Sequence, residues 1–294
     1  MPNEPQKAAD FAKVSSIDLA NRFETNVKQL EEIIGITRKV EKVPGQVVKV
    51  YKTTGTLEDG TVAEGALIPL SNYKTEVAQT FELDVKKYRK GTTFEAINDK
   101  GYEQAVTDTD NKMLKDVSNV IRNDFFSFLP TGTGTATATS NGLQGALAAG
   151  WGKNQVYWED YDNDGFIYFV NPLDIAGYLG EKDITVQTAF GMTYIKDFLG
   201  IYDVLAYSGV PQGTIFTTAK GNLILYYANP ANAEVAKAFD FTIDETGLIG
   251  VHRDVDYTTL VTDTTVICGT KLYAELIDGV VKVDIKTATA TAEG

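Results

Sequence analysis

Residues 46–85 read QVVKVYKTTGTLEDGTVAEGALIPLSNYKTEVAQTFELDV, and their pattern decides the fold. VVKVY (47–51) is a short strand, and Phe81, Leu83 and Val85 alternate with Glu82, Asp84 and Lys86 in a second. Between them lies a polar, glycine-punctuated tip with little that builds a core. A loop this long inside a compact domain is uncommon and usually functional or mobile. A two-stranded ribbon alone is also marginal in water. The pattern predicts an extended loop over 46–90 that docks on another molecule, with a mobile surface flap as the alternative. Leu57, Glu58, Asp59, Leu67, Ile68 and Tyr73 are its candidate contact residues.

Working outward, residues 1–14 read as a loose tail. Ile17, Ala20, Phe23, Val27, Leu30 and Ile34 then recur at helical steps behind the plausible N-caps Ser15 and Ser16, and Gly35 stands where a helix would end. A lone amphipathic helix cannot bury its own stripe. Phe23, Val27, Leu30 and Ile34 are therefore expected against the body of the protein or a neighbouring subunit. On the other side of the loop, Met113, Val117, Val120, Ile121, Phe125 and Phe128 predict one long helix over 101–129, about 40 Å if continuous. TGTGTATATSNG (131–142) reads as a solvated, low-complexity linker, like the C-terminal TATATAEG.

The remainder mixes elements. LQGALAAGW predicts a short helix, VYWED and GFIYFV strands, and PLDIAGYLG a helix opened by proline. YDVLAYSGV, TIFTTA and LILYYAN read as strands, NPANAEVAKAF as a short helix, and TTVICG as apolar core. Asp278-Gly279 predicts a hairpin within KLYAELIDGVVKVDI. The expected class is α+β with mainly antiparallel strands, not an alternating βαβ series.

Composition removes several function classes. The 294 residues carry one histidine, His252, and one cysteine, Cys268, which exclude a disulfide framework, a two-histidine metal site and a histidine-dependent triad. Both residues are expected to be structural. The net charge is −13, and Lys and Arg are scattered, so tight direct DNA binding is disfavoured. No stretch reaches the ~20 apolar residues of a membrane span, and MPNEPQKAAD lacks the apolar region of a secretory signal, which predicts a soluble cytoplasmic product. No Walker, GxSxG or strand-borne GxGxxG pattern occurs.

One metal pattern stands out. Asp160, Asp162, Asp164 and Gly165 match positions 1, 3, 5 and 6 of an EF-hand loop, with Ile167 at position 8. Position 12 is Asn171 rather than glutamate, and strands flank the loop, so an acidic surface turn is the default reading. The pairs Glu31-Glu32 and Glu58-Asp59 sit on a solvated face and a loop tip. No cofactor is expected.

In order, these elements resemble the HK97-fold major capsid proteins of tailed bacteriophages, siphophage type: an N-terminal arm (1–45), an extended loop (46–90), a spine helix with part of a peripheral domain (91–140), an axial domain (141–240) and returning peripheral strands with a tail (241–294). NPLDIAGYL, VPQGTIFTTAKGNLILYYANP and ELIDGVVKVDI are similar to axial-domain and C-terminal segments of that family. The resemblance implies a non-enzymatic shell protein that forms pentamers and hexamers of itself around double-stranded DNA. It also implies portal and head accessory proteins as partners and, since no long charged coiled coil precedes residue 45, a separate scaffolding protein or none. Some relatives carry a Lys–Asn crosslink; Lys52 and Lys74 lie near the distal loop, but neither aligns clearly. An encapsulin shell shares the fold. A monomeric calcium- or carbohydrate-binding module or an acid–base hydrolase would instead predict a compact monomer.

Overall fold

A computed structural model describes residues 20–286 apart from 22, 24–26, 37, 44, 162–164, 180–185, 190 and 231. The first elements are α1 (helix at 20, 21, 23 and 27–34), β1 (Arg38–Glu41), β2 (Val47–Thr56), β3 (Asn72–Glu82), β4 (Lys86–Thr93), α2 (Phe94–Lys100) and α3 (Asp108–Phe125). Then come β5 (Gly134–Thr137), α4 (Gly142–Tyr157), β6 (Phe166–Val170), α5 (Pro172–Leu179), β7 (Gln187–Ala189), β8 (Met192–Phe198), β9 (Tyr202–Ala206) and β10 (Thr214–Ala219). β11 (Leu223–Tyr227), β12 (Thr242–Ile243), β13 (Ile249–Asp256), β14 (Val261–Cys268), β15 (Thr270–Ala274) and β16 (Val281–Asp284) complete the chain. They form a seven-stranded sheet (β5-β16-β10-β6-β9-β8-β7), a four-stranded sheet (β12-β13-β14-β4), a three-stranded sheet (β1-β11-β15) and the β2-β3 ribbon. Pairing is mainly antiparallel; β1–β11, β5–β16 and β6–β9 run parallel. The α+β expectation is met.

The run FIYFV shows how the core divides. Every residue of β6 is buried. Because side chains alternate across a strand, Ile167 and Phe169 enter a larger core with α1 and α3, whereas Phe166, Tyr168 and Val170 enter a second core with Leu143, Ala146 and Leu147 of α4 and Ile175 of α5. The small residues of α4 allow close approach to the sheet: a Cβ at Gly150 would lie 3.0 Å from Thr217 Cγ2. Asn154 Nδ2 donates to Thr217 Oγ1 at 2.9 Å, joining helix and sheet across buried polar groups.

The α1 stripe is spent inside the subunit. Phe23, Val27, Leu30 and Ile34 are at most 1% exposed and pack in the larger core. Of the two coverings expected for this stripe, the body of the protein supplies one, and these four side chains offer almost no exposed surface to a neighbouring subunit. An amphipathic helix needs only one apolar face to cover it, and the chain supplies its own. The helix ends as expected at Gly35, where φ is +71°, with Gly35 N–H donating to Glu32 O at 3.2 Å and Ile36 N–H to Glu31 O at 3.0 Å.

The helix expected over 101–129 is present as one run whose winding changes along its length. Gly101, at φ +81°, separates α2; a π-helical turn (Glu103–Thr107) precedes α3, and a 3-10 turn (Phe126–Thr131) follows it. The helical run is continuous over 102–131, close to the expected span, but only the eighteen residues of α3, about 27 Å at 1.5 Å per residue, are regular α-helix. Its start is held by Asp110, which ion-pairs with Arg253 of β13, both side chains 2% exposed. Lys90 of β4 adds a second cation, 2.5 Å from Asp110 Oδ1, and also reaches Val106 O at 3.1 Å. Burial and the Arg253 guanidinium push the Lys90 ammonium down to about 8.

Other expectations are corrected. TGTGTATATSNG is not all solvated linker: Gly134–Thr137 is β5, paired parallel with β16. A Cβ at Gly134 would lie 2.6 Å from Asp278 O, so the low-complexity glycines are packing residues. VYWED does not form a strand; α4 runs through Tyr157 and Trp158 caps it. NPANAEVAKAF yields a 3-10 turn at Val235–Lys237. The Asp278-Gly279 hairpin fails because β15 pairs with β11 and β16 with β10 and β5, with a 3-10 turn changing sheets between them. The strand expected around 81–85 straddles the end of β3 and the turn into β4, and Leu83 is buried. Residues 1–14 and TATATAEG lie outside the described residues.

Candidate assembly surface

β2 and β3 pair from Val47–Glu82 to Thr56–Asn72, with a bulge at Val50/Tyr51. Among the described residues no other strand joins this two-stranded sheet. Its base is tied to the body. Val48 is buried, and Phe81 stacks on Tyr273 with ring centroids 3.5 Å apart. Lys52 Nζ pairs with Asp278 Oδ2, while the Thr133 hydroxyl donates to Asp278 Oδ1. Those two donors hold the Asp278 carboxyl below the usual carboxylate range.

Farther out, Thr53 and Thr75 share a hydroxyl hydrogen bond of 2.9 Å. Tyr73 lies opposite Gly55, and a Cβ there would overlap its ring. An aromatic side chain across a strand glycine covers otherwise open backbone. At the tip, Asp59 Oδ1 accepts Thr61 N–H at 2.8 Å, and Glu58 N–H donates to Ser71 Oγ at 3.1 Å. The backbone and hydroxyl of Thr61 lower the Asp59 carboxyl.

These bonds order a tip that buries almost none of its apolar surface. Leu57 is 77% exposed, Leu67 94%, Ile68 71% and Leu70 91%. The structure brings Leu57, Glu58, Asp59, Leu67, Ile68 and Tyr73 together on one projection, apart from the four α1 residues. Leu70 belongs with them; its signal was present in the run ALIPL (66–70). A second exposed cluster, Phe94, Tyr257 and Leu260, adjoins the β13–β14 turn, with Phe94 N–H donating to Leu260 O at 2.9 Å. No apolar periodicity marked it, because its residues come from separate elements.

The other candidate groups have structural partners. Asn171, position 12 of the EF-hand pattern, caps α5 by accepting Leu173 N–H at 3.0 Å and donates to Val210 O at 2.7 Å. Asp160 is exposed, while Asp162 and Asp164 lie outside the described residues. His252 Nδ1 lies 2.7 Å from Asp240 O. Burial pushes the Cys268 thiol up to about 12. Lys74 pairs with Glu76, so both loop lysines have partners within the chain. No described helix is long and apolar enough to cross a membrane.

No protein-family model matches the sequence, and no curated protein matches it. Solved structures do match. The capsid of cyanophage A-1(L) aligns over 90% of this chain and 94% of its own, at 11% identity and a TM-score of 0.55. The chain has the HK97-like capsid fold. The capsid of a native GTA particle aligns over 90% and 91% at 11% identity and TM-score 0.53, and that of cyanophage P-SCSP1u over 85% and 86% at 8% identity and TM-score 0.50.

Proposed function

We propose that this protein is the major capsid protein of a tailed bacteriophage, a structural subunit without a catalytic site. In this reading it assembles with itself into pentamers and hexamers that close into an icosahedral head around double-stranded DNA. One observation carries the reading: an ordered ribbon ends in four apolar side chains that are 71–94% exposed, on a fold shared with capsid shells. Isolated apolar residues are normal on a surface, but several clustered on one projection mark an interaction site. Burying them offers about 1.5–3 kcal/mol each, from which association costs are subtracted.

The domain limits follow as part of this proposal: arm 1–45, extended loop 46–90, spine and peripheral segment 91–140, axial domain 141–240, and peripheral return with tail 241–294. The site of action is the virion, after synthesis in the host cytoplasm. Portal, head accessory and separate scaffolding proteins are the expected partners. Encapsulin shells share the fold; they enclose cargo rather than a genome, so the contents of the particle distinguish the two.

The test is size-exclusion chromatography and negative-stain microscopy of the protein, alone and coexpressed with its flanking genes. Shells or capsomer rings are expected; a strict monomer in every arm refutes the proposal. Removing residues 54–76 should leave the melting transition in place and abolish particles.

A further inference from the structure

The chain contains one Asn-Gly pair, Asn141-Gly142, and the fold places it where the β5–α4 link enters α4. Asparagine followed by glycine is chemically unstable, because glycine has no side chain to hinder its backbone nitrogen from attacking the preceding carboxamide. Asn141 is exposed. It caps α4 with extended backbone (φ −76°, ψ 156°) but without a side-chain capping hydrogen bond, so the helix start does not occupy its carboxamide. Gly142 stands at φ +83°, where a side chain would be strained, and its N–H donates to Lys286 O at 2.8 Å.

The acceptor is itself held in place. β16 ends at Asp284, Ile285 N–H donates to Gly213 O at 2.8 Å, and the Ile285 side chain packs against the core that α4 shares with the seven-stranded sheet. The link before Asn141 is packed as well: Ala138 is buried, and a Cβ at Gly145 would lie 2.3 Å from Ser140 O. Attack would close a five-membered ring from Gly142 N to Asn141 Cγ. Closing that ring requires the Asn141 Cα–C bond to rotate away from ψ 156°. The rotation pulls Gly142 N–H off Lys286 O and moves Ser140 against the first turn of α4.

We infer that Asn141 is a site of spontaneous deamidation and that the Gly142–Lys286 hydrogen bond is the latch that controls it. When the latch opens, Gly142 N bonds to Asn141 Cγ, the Cγ–Nδ2 bond breaks, and Nδ2 leaves as ammonia, taking up the proton that Gly142 N gives up. Water then opens the cyclic imide at either carbonyl. One product is aspartate; the other is isoaspartate, in which the backbone runs through the former side chain. Water is the only co-reactant. The aspartate product keeps the backbone and places a carboxylate at the start of a sixteen-residue helix, where the helix dipole favours it. The isoaspartate product adds one methylene to the backbone between Ser140 and Gly142. The close approach of Ser140 O to Gly145 leaves no slack for that methylene, so this product loosens the first turn of α4.

The experiment incubates the full-length protein at mildly alkaline pH, folded and in guanidinium chloride, and follows the Asn141 peptide by mass spectrometry. An Asn141→Asp variant marks the aspartate product and so separates it from isoaspartate. Conversion is expected in guanidinium and should be slower by about tenfold or more in the folded protein. That slowing should agree within about tenfold with the hydrogen-exchange protection of the Gly142 amide, because both processes wait for the same opening. Ending the chain at Ile285 removes the acceptor and should raise folded-state conversion toward the guanidinium rate. Ile285→Gly, which frees Lys286 in the full-length chain, should raise it as well, with melting curves confirming that each variant folds. Absence of conversion in guanidinium, or equal rates folded and unfolded, overturns the inference. It is also overturned if both variants fold and convert as slowly as the parent. The comparison with Gly142 exchange needs no variant, and a disagreement beyond about tenfold refutes the latch.

Discussion

Replacing Leu67 and Leu70 by alanine separates folding from assembly. Both side chains are more than nine-tenths exposed in the isolated chain, so their truncation should change unfolding free energy by no more than about 0.5 kcal/mol. On the proposed reading the same groups are covered in an assembled shell. Each Leu→Ala change removes three carbons, and at about 0.8 kcal/mol per buried group the pair forfeits about 5 kcal/mol of association energy. That corresponds to roughly three orders of magnitude in apparent association constant. Even half burial leaves about 2.5 kcal/mol, well beyond tenfold. Urea denaturation of dissociated subunits supplies the first measurement, and light scattering against protein concentration supplies the second. An assembly threshold within about threefold of the parent, with folding unchanged, would refute the reasoning that the tip is a contact surface.

Three further outcomes test the frame behind the ribbon. Asp110→Asn leaves Arg253 buried without its counter-charge and should cost about 3–5 kcal/mol, whereas Asp110→Leu with Arg253→Met should recover most of the loss, both read from urea midpoints. Gly134→Ala drives a methyl against the Asp278 and Val280 carbonyls and should cost about 1–3 kcal/mol by calorimetry, while Gly60→Ala, which meets open space, should stay within about 0.5 kcal/mol. Because the folded Asp278 carboxyl lies below its ordinary value of 3.8, its contribution is present above that pH and lost as pH falls through the folded value. Hydrogen exchange at the ribbon base, corrected for intrinsic rates, should therefore rise on acidification below 3.8; Asp278→Asn should show the higher exchange already at neutral pH and lose the acid-dependent rise.

Local physics settled much of this protein in the sequence alone. The 3.6-residue spacing of Phe23, Val27, Leu30 and Ile34 specified a helix and its buried face, and Gly35 specified its end. The separation of two strand patterns by a coreless tip specified the ribbon. One histidine and one cysteine removed most catalytic and metal chemistry. What covers a given apolar face was not legible, because periodicity is blind to the partner: the α1 stripe and the tip leucines pose the same demand, yet the first is met within the chain and the second is left open. The TGTGTATATSNG segment failed for a related reason. Composition read it as solvated, but the Asp278 and Val280 carbonyls leading into β16 stand so close to Gly134 that a side chain there would collide with them. The Asp278-Gly279 turn failed because turn chemistry is local while the choice of strand partner is not. Sequence determined the elements and the unfinished ribbon; tertiary structure decided which faces were already covered, because contacts between distant segments depend on topology rather than on neighbouring residues.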